Sequence, residues 1–410
     1  MQLTKLTTLS VAVAAAVALS ACGKKEEQAG NAGAASAPAA AAAAGETVVK
    51  IGFAAPLTGP QAHYGEEYKN GVTLAIEDAN GEHPTIGGKP VKFELVAEDD
   101  QADPKTATQV AQKFVDAKVN GIIGHFNSGC SIPASKIYSD AGIPQISMAT
   151  SPVFTTQGYK TTFRSMTSDT QQGSVMGKFV VEKLNAKKVA IVDDRTAYGQ
   201  GLADEFEKAV KAAGGNVVKR EFTNDKATDF AAIITTIKGV SPDVVFYGGA
   251  DAQSAPMAKQ MKRLGVNAPL ISGEMTKTPT FLKLAGAEAD GTIASLAGLP
   301  LAQMPKGKDY ETRYKARFKA DVATYSPYGY DSTRVMIAAM EKAGSAEPAK
   351  YLPVLAKMEY DGVTGNTQYD DKGDLKNGGI TVYKVVKGDW TVLQTVGGAG
   401  AAPAAASAAK

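Results

Sequence analysis

Short apolar runs alternating with helical stretches recur through this chain, and that alternation leaves few folds open to it. Strand-like runs lie at Thr47–Phe53, Lys89–Glu98, Gly121–Gly124 and Pro144–Ser147. Helical patterns fall between them at Tyr64–Asn80, from Pro104 to about Lys118, and at Ser131–Asp140. Asp103-Pro104 supplies an N-cap followed by a proline in the first turn. A second series has strands at Lys188–Asp193, Gly215–Thr223, Asp243–Tyr247, Ala268–Gly273 and Thr292–Ala297. Its helices span Ser168–Lys183, Tyr198–Ala212, Asp229–Lys238 and Ala252–Leu264. Strands separated by helices pair in parallel, with helices on both faces of the sheet. The chain is therefore expected to be α/β, with two doubly wound units meeting near Arg164–Thr167. Helices near Asp309–Ala320, Tyr328–Lys342 and Pro348–Lys357 follow, then strands at Gly365–Asp370 and Ile380–Leu393.

Within this pattern Val119–Pro152 stands out. The runs Gly121–Gly124 and Pro144–Ser147 end in small polar residues: Asn127, Ser128 and Gly129 after the first, Ala149, Thr150 and Ser151 after the second. Ligands of open parallel sheets sit beyond the carboxyl ends of the strands, so the stretch reads as one wall of a binding cleft rich in neutral donors. It reads also as two ordinary strand-to-helix turns in which Ser and Thr serve as N-caps.

The 44 Lys+Arg against 42 Asp+Glu leave a net charge of +2, too balanced for a nucleic-acid footprint. At the N-terminus Lys5 precedes the apolar run Leu6–Ala18, the pattern of a secretory signal occupying residues 1–21. The ending Leu19-Ser-Ala-Cys22 resembles the lipobox of bacterial lipoproteins, which implies diacylated Cys22 as first mature residue and a membrane-anchored periplasmic protein. Residues 22–46 are rich in Gly, Ala, Pro and Ser and read as a tether, and residues 397–410 as a flexible tail. With Cys22 acylated, Cys130 has no partner in the chain, so stability rests on core burial and not on a disulfide.

Motifs for chemistry are missing. There is no G-x-x-x-x-G-K-[ST] phosphate loop, and His63, His83 and His125 have no metal-ligand spacing. Ser128 lies in H-F-N-S-G and not in G-x-S-x-G. No catalytic residue, metal site or cofactor is expected.

Six stretches, in this order, carry a likeness: Pro56–Glu67 (PLTGPQAHYGEE), Glu98–Ala107 (EDDQADPKTA), Ile123–Tyr138 (IGHFNSGCSIPASKIY), Val192–Ala203 (VDDRTAYGQGLA), Phe246–Gly249 (FYGG) and Asp370–Lys376 (DDKGDLK). Together they resemble the leucine/isoleucine/valine-binding proteins, periplasmic solute receptors of branched-chain amino-acid ABC importers. The resemblance implies a type I periplasmic-binding-protein fold, with two Rossmann-like domains joined by a three-crossing hinge and the ligand in the cleft between them. The crossings would fall near Thr167, Ala297 and Gly365, giving domain one as 47–167 plus 298–364 and domain two as 168–297 plus 365–396.

The same resemblance implies a site. Ser128 and Thr150 match hydroxyls that hold an α-carboxylate, supported by the backbone near Phe126 and Met148. Glu274 matches the ammonium acceptor, and Tyr64, Tyr198 and Tyr328 match aromatics around the ligand. Read without it, Glu274 is a surface charge after a strand, and Tyr64 and Tyr328 are helix-core aromatics. Where the family has an aromatic after the FYGG turn, this chain has Ala250 and then Asp251, an acid that serves as a second ammonium acceptor or favours a polar or cationic side chain. The family's loop-bridging cysteines are replaced by Ala102 and Asn127. The implied function is capture of a free amino acid, branched-chain or otherwise hydrophobic, by a monomer that closes on it. It would then deliver the ligand to an inner-membrane permease and its ATPase. A sensor on the same fold, or an exported amidase-type enzyme, are the alternatives.

Overall fold

The structure, a computed structural model, describes residues 46–398. The expected signal segment, Cys22, most of the tether and residues 399–410 lie outside the described residues. The first sheet is built from β1 (Thr47–Ala55), β2 (Thr85–Ile86), β3 (Lys89–Asp99), β4 (Gly121–Gly124), β5 (Gln145–Ser147) and β6 (Thr162–Arg164), in the order β2-β3-β1-β4-β5-β6. All its pairings are parallel except that of β2, which runs antiparallel to β3. Every residue of β4 and β5 is buried, as expected for central strands covered by helices on both faces.

A second sheet follows from β7 (Lys188–Asp193), β8 (Asn216–Phe222), β9 (Val244–Gly248), β10 (Leu270–Ser272) and β11 (Ile293–Leu296). A small antiparallel pair, β12 (Glu359–Asp361) and β13 (Asn366–Gln368), stands apart, and β14 (Gly379–Val386) and β15 (Asp389–Gly397) then complete the order β15-β14-β11-β10-β9-β7-β8. In each sheet the first parallel strand sits between the second and third, so each has a switch point at that strand. The sequence thus encodes the same winding twice.

The chain passes between the sheets three times, and the crossings hold one another. Thr167 N–H donates to Ala297 O (3.3 Å), Thr167 Oγ1 to Gly379 O (2.8 Å), and Thr381 Oγ1 to Gly298 O (2.8 Å). Between the second and third crossings, the helices Gly307–Phe318, Ser326–Ala343 and Pro348–Leu355 return to the first sheet, where the Tyr351 hydroxyl donates to Asn120 O. The helices Ala62–Gly81 and Ser326–Ala343 touch backbone to backbone: a Cβ on Gly71 would lie 2.0 Å from Ser326 O. The same junction is fixed by Glu67, whose carboxylate accepts from the backbone N–H groups of Ala323, Thr324, Tyr325 and Ser326.

Three expectations change. The run Ile380–Leu393 is a hairpin and not one strand. Lys387 (φ 54°) and Gly388 (φ 84°) form a tight turn, and lysine in the first left-handed position hid the Asn-Gly or Asp-Gly signature of such turns. The helix expected through Lys183 is α-helical only over Asp169–Lys178 and ends in a π-turn at Phe179–Lys183. Gly397, expected in the tail, ends β15. The three-residue β6 was missed because so short a run carries no periodicity.

Replacing Glu67 by Ala leaves four backbone donors facing a void. Chemical denaturation of Glu67→Ala should show a loss of about 3 kcal/mol, within the range for breaking a buried, hydrogen-bonded charge; a loss under about 1 kcal/mol would contradict the role given to this carboxylate.

Candidate ligand-binding site

The loops beyond β4 and β5 meet those beyond β7 and β10 around a small cavity. Phe126, Asn127, Ser128, Met148 and Thr150 line it from the first lobe, Tyr198, Glu274 and Met275 from the second, and Tyr325 from a returning helix segment. Its volume is about 10 Å³, room for roughly one water in this closed arrangement.

On the first-lobe side the wall presents donors. Ser128 opens the helix Ser128–Asp140, and its Oγ accepts from Ser151 N–H (3.2 Å). A helix start carries unpaired N–H groups and partial positive charge. Thr150 is buried, and its carbonyl accepts from Asp169 N–H (2.8 Å), a bond between the lobes. Behind this wall lies Arg164, wholly buried. It donates from Nε to Asp374 (2.7 Å), from Nη2 to Thr155 Oγ1 (2.9 Å) and from Nη1 to Ala149 O, which fixes the turn that carries Thr150.

The second-lobe side presents acceptors. Glu274 is 3 % exposed, and its Oε2 accepts from Gln172 Nε2 (2.7 Å) and the Tyr198 hydroxyl (3.0 Å). Gln172 Nε2 also reaches Asp169 Oδ1 (3.5 Å), so two carboxylates share one amide. Asp169 is fully buried and its Oδ2 has no hydrogen-bond partner. Burial raises the pKa of both carboxyls, and the charge of Glu274 raises that of Asp169 further. Burial and the same two acids push the Tyr198 hydroxyl up, keeping it a donor.

Of the expected residues, Ser128, Thr150, Phe126, Met148, Tyr198 and Glu274 line the cavity. Tyr64 sits just outside: its ring stacks on Phe126 (centroids 5.3 Å apart) and its hydroxyl donates to Met275 O (2.5 Å), crossing the cleft. Tyr328 is not brought to the cavity. Its hydroxyl lies at the crossings, where a Cβ on Gly298 would be 1.6 Å away, and Tyr325, one turn earlier on the chain, takes the position in the site. Nor does Asp251 line the cavity. It is wholly buried, and its Oδ2 is held by His63 Nε2 (2.8 Å) and the Thr278 hydroxyl (2.6 Å). His63 belongs to the first lobe, so this pair also spans the cleft.

Sequence reasoning missed Asp169, Gln172, Tyr325 and His63. Asp169 directly follows a helix cap and reads as an ordinary first-turn acid. The other histidine near the site, His125, is buried between Asp100 (2.7 Å) and the Tyr138 hydroxyl (2.9 Å) and braces the strand end from beneath. No group of His, Cys, Asp and Glu able to hold a metal ion occurs among the described residues.

A fold of two doubly wound lobes closing on a polar cleft defines a class of solute receptors, and the comparisons agree. The family model for periplasmic binding proteins matches residues 48–389, and the chain belongs to that family. It is 35 % identical over 337 residues to a Pseudomonas aeruginosa leucine-, isoleucine-, valine-, threonine- and alanine-binding protein, covering 82 % of this chain and 89 % of that one. A Brucella melitensis Leu/Ile/Val-binding protein homolog is 35 % identical over 343 residues, covering 83 % and 91 %. Among solved structures, a leucine-binding protein from Thermotoga maritima superposes with a TM-score of 0.79 at 27 % identity, covering 85 % of this chain and 98 % of that one. A Streptococcus pneumoniae branched-chain amino-acid transporter substrate-binding protein in complex with isoleucine gives 0.77 at 26 %, covering 86 % and 99 %.

The His63–Asp251 bond exists only while the lobes are closed. His63→Ala should therefore shift the ligand-free protein toward open forms by roughly fivefold, the worth of about 1 kcal/mol. Small-angle scattering should report a larger radius of gyration at neutral pH; an unchanged radius would remove the latch.

Proposed function

We propose that this chain is an extracytoplasmic receptor that captures a free amino acid between its lobes and delivers it to an ABC importer. The observation that carries this reading is the division of the cavity. One wall offers hydroxyls and a helix start, and the facing wall offers the buried carboxylate of Glu274, with Asp169 behind it through Gln172. An amino acid carries a carboxylate and an ammonium on adjacent atoms, and leaving water costs both ends their hydration. Ser128, Thr150 and the N–H groups near Gly129 replace that hydration at the carboxylate. Glu274 and Asp169, steadied by Gln172 and Tyr198, replace it at the ammonium. Phe126, Met148, Tyr198 and Tyr325 surround what remains of the ligand, with Tyr64 behind Phe126. The ligands of the relatives named above, mainly leucine, isoleucine and valine, support an aliphatic side chain as one that fits.

In the same reading the lobes are 47–167 plus 298–364 and 168–297 plus 365–396, joined at the three crossings. The contacts of residues 369–374 favour moving the last boundary to Asn377–Gly379: Gly373 O accepts from Arg164 N–H, Asp374 pairs with Arg164, and Tyr369 packs on Phe163. Closure follows from a ligand that bridges the lobes and so stabilises only the closed form. Diacylated Cys22 and the tether after it hold the receptor, a monomer, at the membrane beside its permease and ATPase. The lipobox-like sequence supports the anchor.

Isothermal titration calorimetry against the twenty amino acids tests the reading, and absence of heat with every one would overturn it. Glu274→Ala should weaken binding about 10- to 100-fold, the worth of one charge-assisted hydrogen bond, and Ser128→Ala less, because backbone donors remain. The pH dependence has a definite sign. The raised pKa values of Asp169 and Glu274 mean that the closed, ligand-free form binds protons more tightly than a form in which the acids meet water. An ammonium between the acids lowers both values, so binding releases protons and affinity rises with pH. Repeating the titrations in buffers of different ionisation enthalpy should reveal that release; proton uptake would contradict it.

A further inference from the structure

The small cavity is not the end of the cleft. Asn127, Tyr198 and Met275, which line it, also line a neighbouring chamber of about 460 Å³. Ala250, 3 % exposed, stands in the chamber wall, where its side chain is a single methyl. A cleft that served only a short aliphatic side chain has no need of this space.

Two acceptors in the chamber lining have oxygens left without a hydrogen bond. At the throat, Asn127 uses its amide nitrogen on Gln61 Oε1 (2.8 Å), while its carbonyl oxygen is buried without a partner. Farther in, Asp194 is 4 % exposed. Its Oδ1 accepts from Thr196 N–H (2.9 Å) and Thr196 Oγ1 (2.6 Å), whereas Oδ2 makes no hydrogen bond and lies against the Gly249–Ala250 turn, 2.7 Å from where a Cβ on Gly249 would stand. Asp225 lines the same chamber and adds its negative charge. The cation in the lining, Arg195, is spent elsewhere: its guanidinium stacks on Phe222 at 4.0 Å and faces Asp193. Burial raises the Asp194 carboxyl to about 6, so at neutral pH it holds a charge that costs desolvation and lacks a counterion.

We propose that this chamber is a side-chain subsite of the amino-acid site, taking a long side chain that ends in a guanidinium or ω-ammonium group. The Asn127 carbonyl accepts from a donor of the ligand at the throat, and the Asp194 carboxylate meets the cation at the end. The proposal rests on the amino-acid reading above and adds the side-chain class that reading leaves open.

The test compares L-arginine with L-citrulline, its neutral counterpart of nearly the same shape, by isothermal titration calorimetry on the mature chain, with L-leucine as a probe of the main site. Arginine should bind at least tenfold more tightly than citrulline. Asp194→Asn keeps an oxygen for the Thr196 bonds, so the variant should melt normally, and in it the arginine-to-citrulline ratio should fall toward one. Ala250→Phe, which puts a ring into the chamber, should weaken arginine and citrulline alike. If leucine binds while arginine does not, or if the ratio is unmoved by Asp194→Asn, the chamber is only the solvent-filled mouth of the cleft and the proposal is overturned. If neither leucine nor arginine binds, the amino-acid reading itself fails and takes this subsite with it.

Discussion

Two carboxylates brought together out of water make the closed form of this protein conditional. Asp169 and Glu274 lie on the same lobe and share the amide of Gln172, and the first lobe completes their burial. Arg164 acts on Asp169, yet its nitrogens are already bonded to Asp374, Thr155 and Ala149. Closing without a cation therefore means either holding extra protons or burying uncompensated charge, and both oppose closure near neutral pH. A ligand that supplies positive charge removes the penalty. The empty and loaded receptors thereby become distinguishable, which a protein that must present only its loaded form to a partner requires.

Against that penalty stand contacts that favour closure without a ligand: Tyr64 to Met275, His63 to Asp251, and Asp169 N–H to Thr150 O. None engages the cavity's acidic pair through a cation. The two sets pull in opposite directions, a few hydrogen bonds against two buried carboxyls, and a ligand shifts the balance by its preference for the closed form. The walls themselves are braced from behind. Arg164, Glu67 and the His125–Asp100 pair each tie a cavity-lining loop to its own lobe.

Much of this was legible in the residues. The alternation of apolar runs and helices gave both sheets, because buried parallel strands leave a pattern that survives without tertiary knowledge. The hydroxyls after β4 and β5 marked one wall through their position at strand ends. What pattern could not reach was whatever depends on two distant segments meeting. Asp169 looks like any acid in a first helical turn until Glu274 arrives beside it from a hundred residues away. Tyr325 and Tyr328 are three residues apart on one helical stretch, and only the returning path of the chain decides that the first faces the cavity and the second the crossings. Asp251 stood out after the FYGG turn, but its partner His63 sits 188 residues earlier and nothing local joins them.

The hairpin β14–β15 carries a consequence for the order in which this molecule can be made. It seals the edge of β11, yet the chain reaches it only after all the helices of the first lobe have been laid down. During synthesis and export the second sheet therefore waits with an open edge, a surface that pairs readily with any other unpaired strand. Between the emergence of Leu296 and that of Gly379, β11 has no strand to pair with on that side. A device that separates its two lobes in space must also leave one of them unfinished in time.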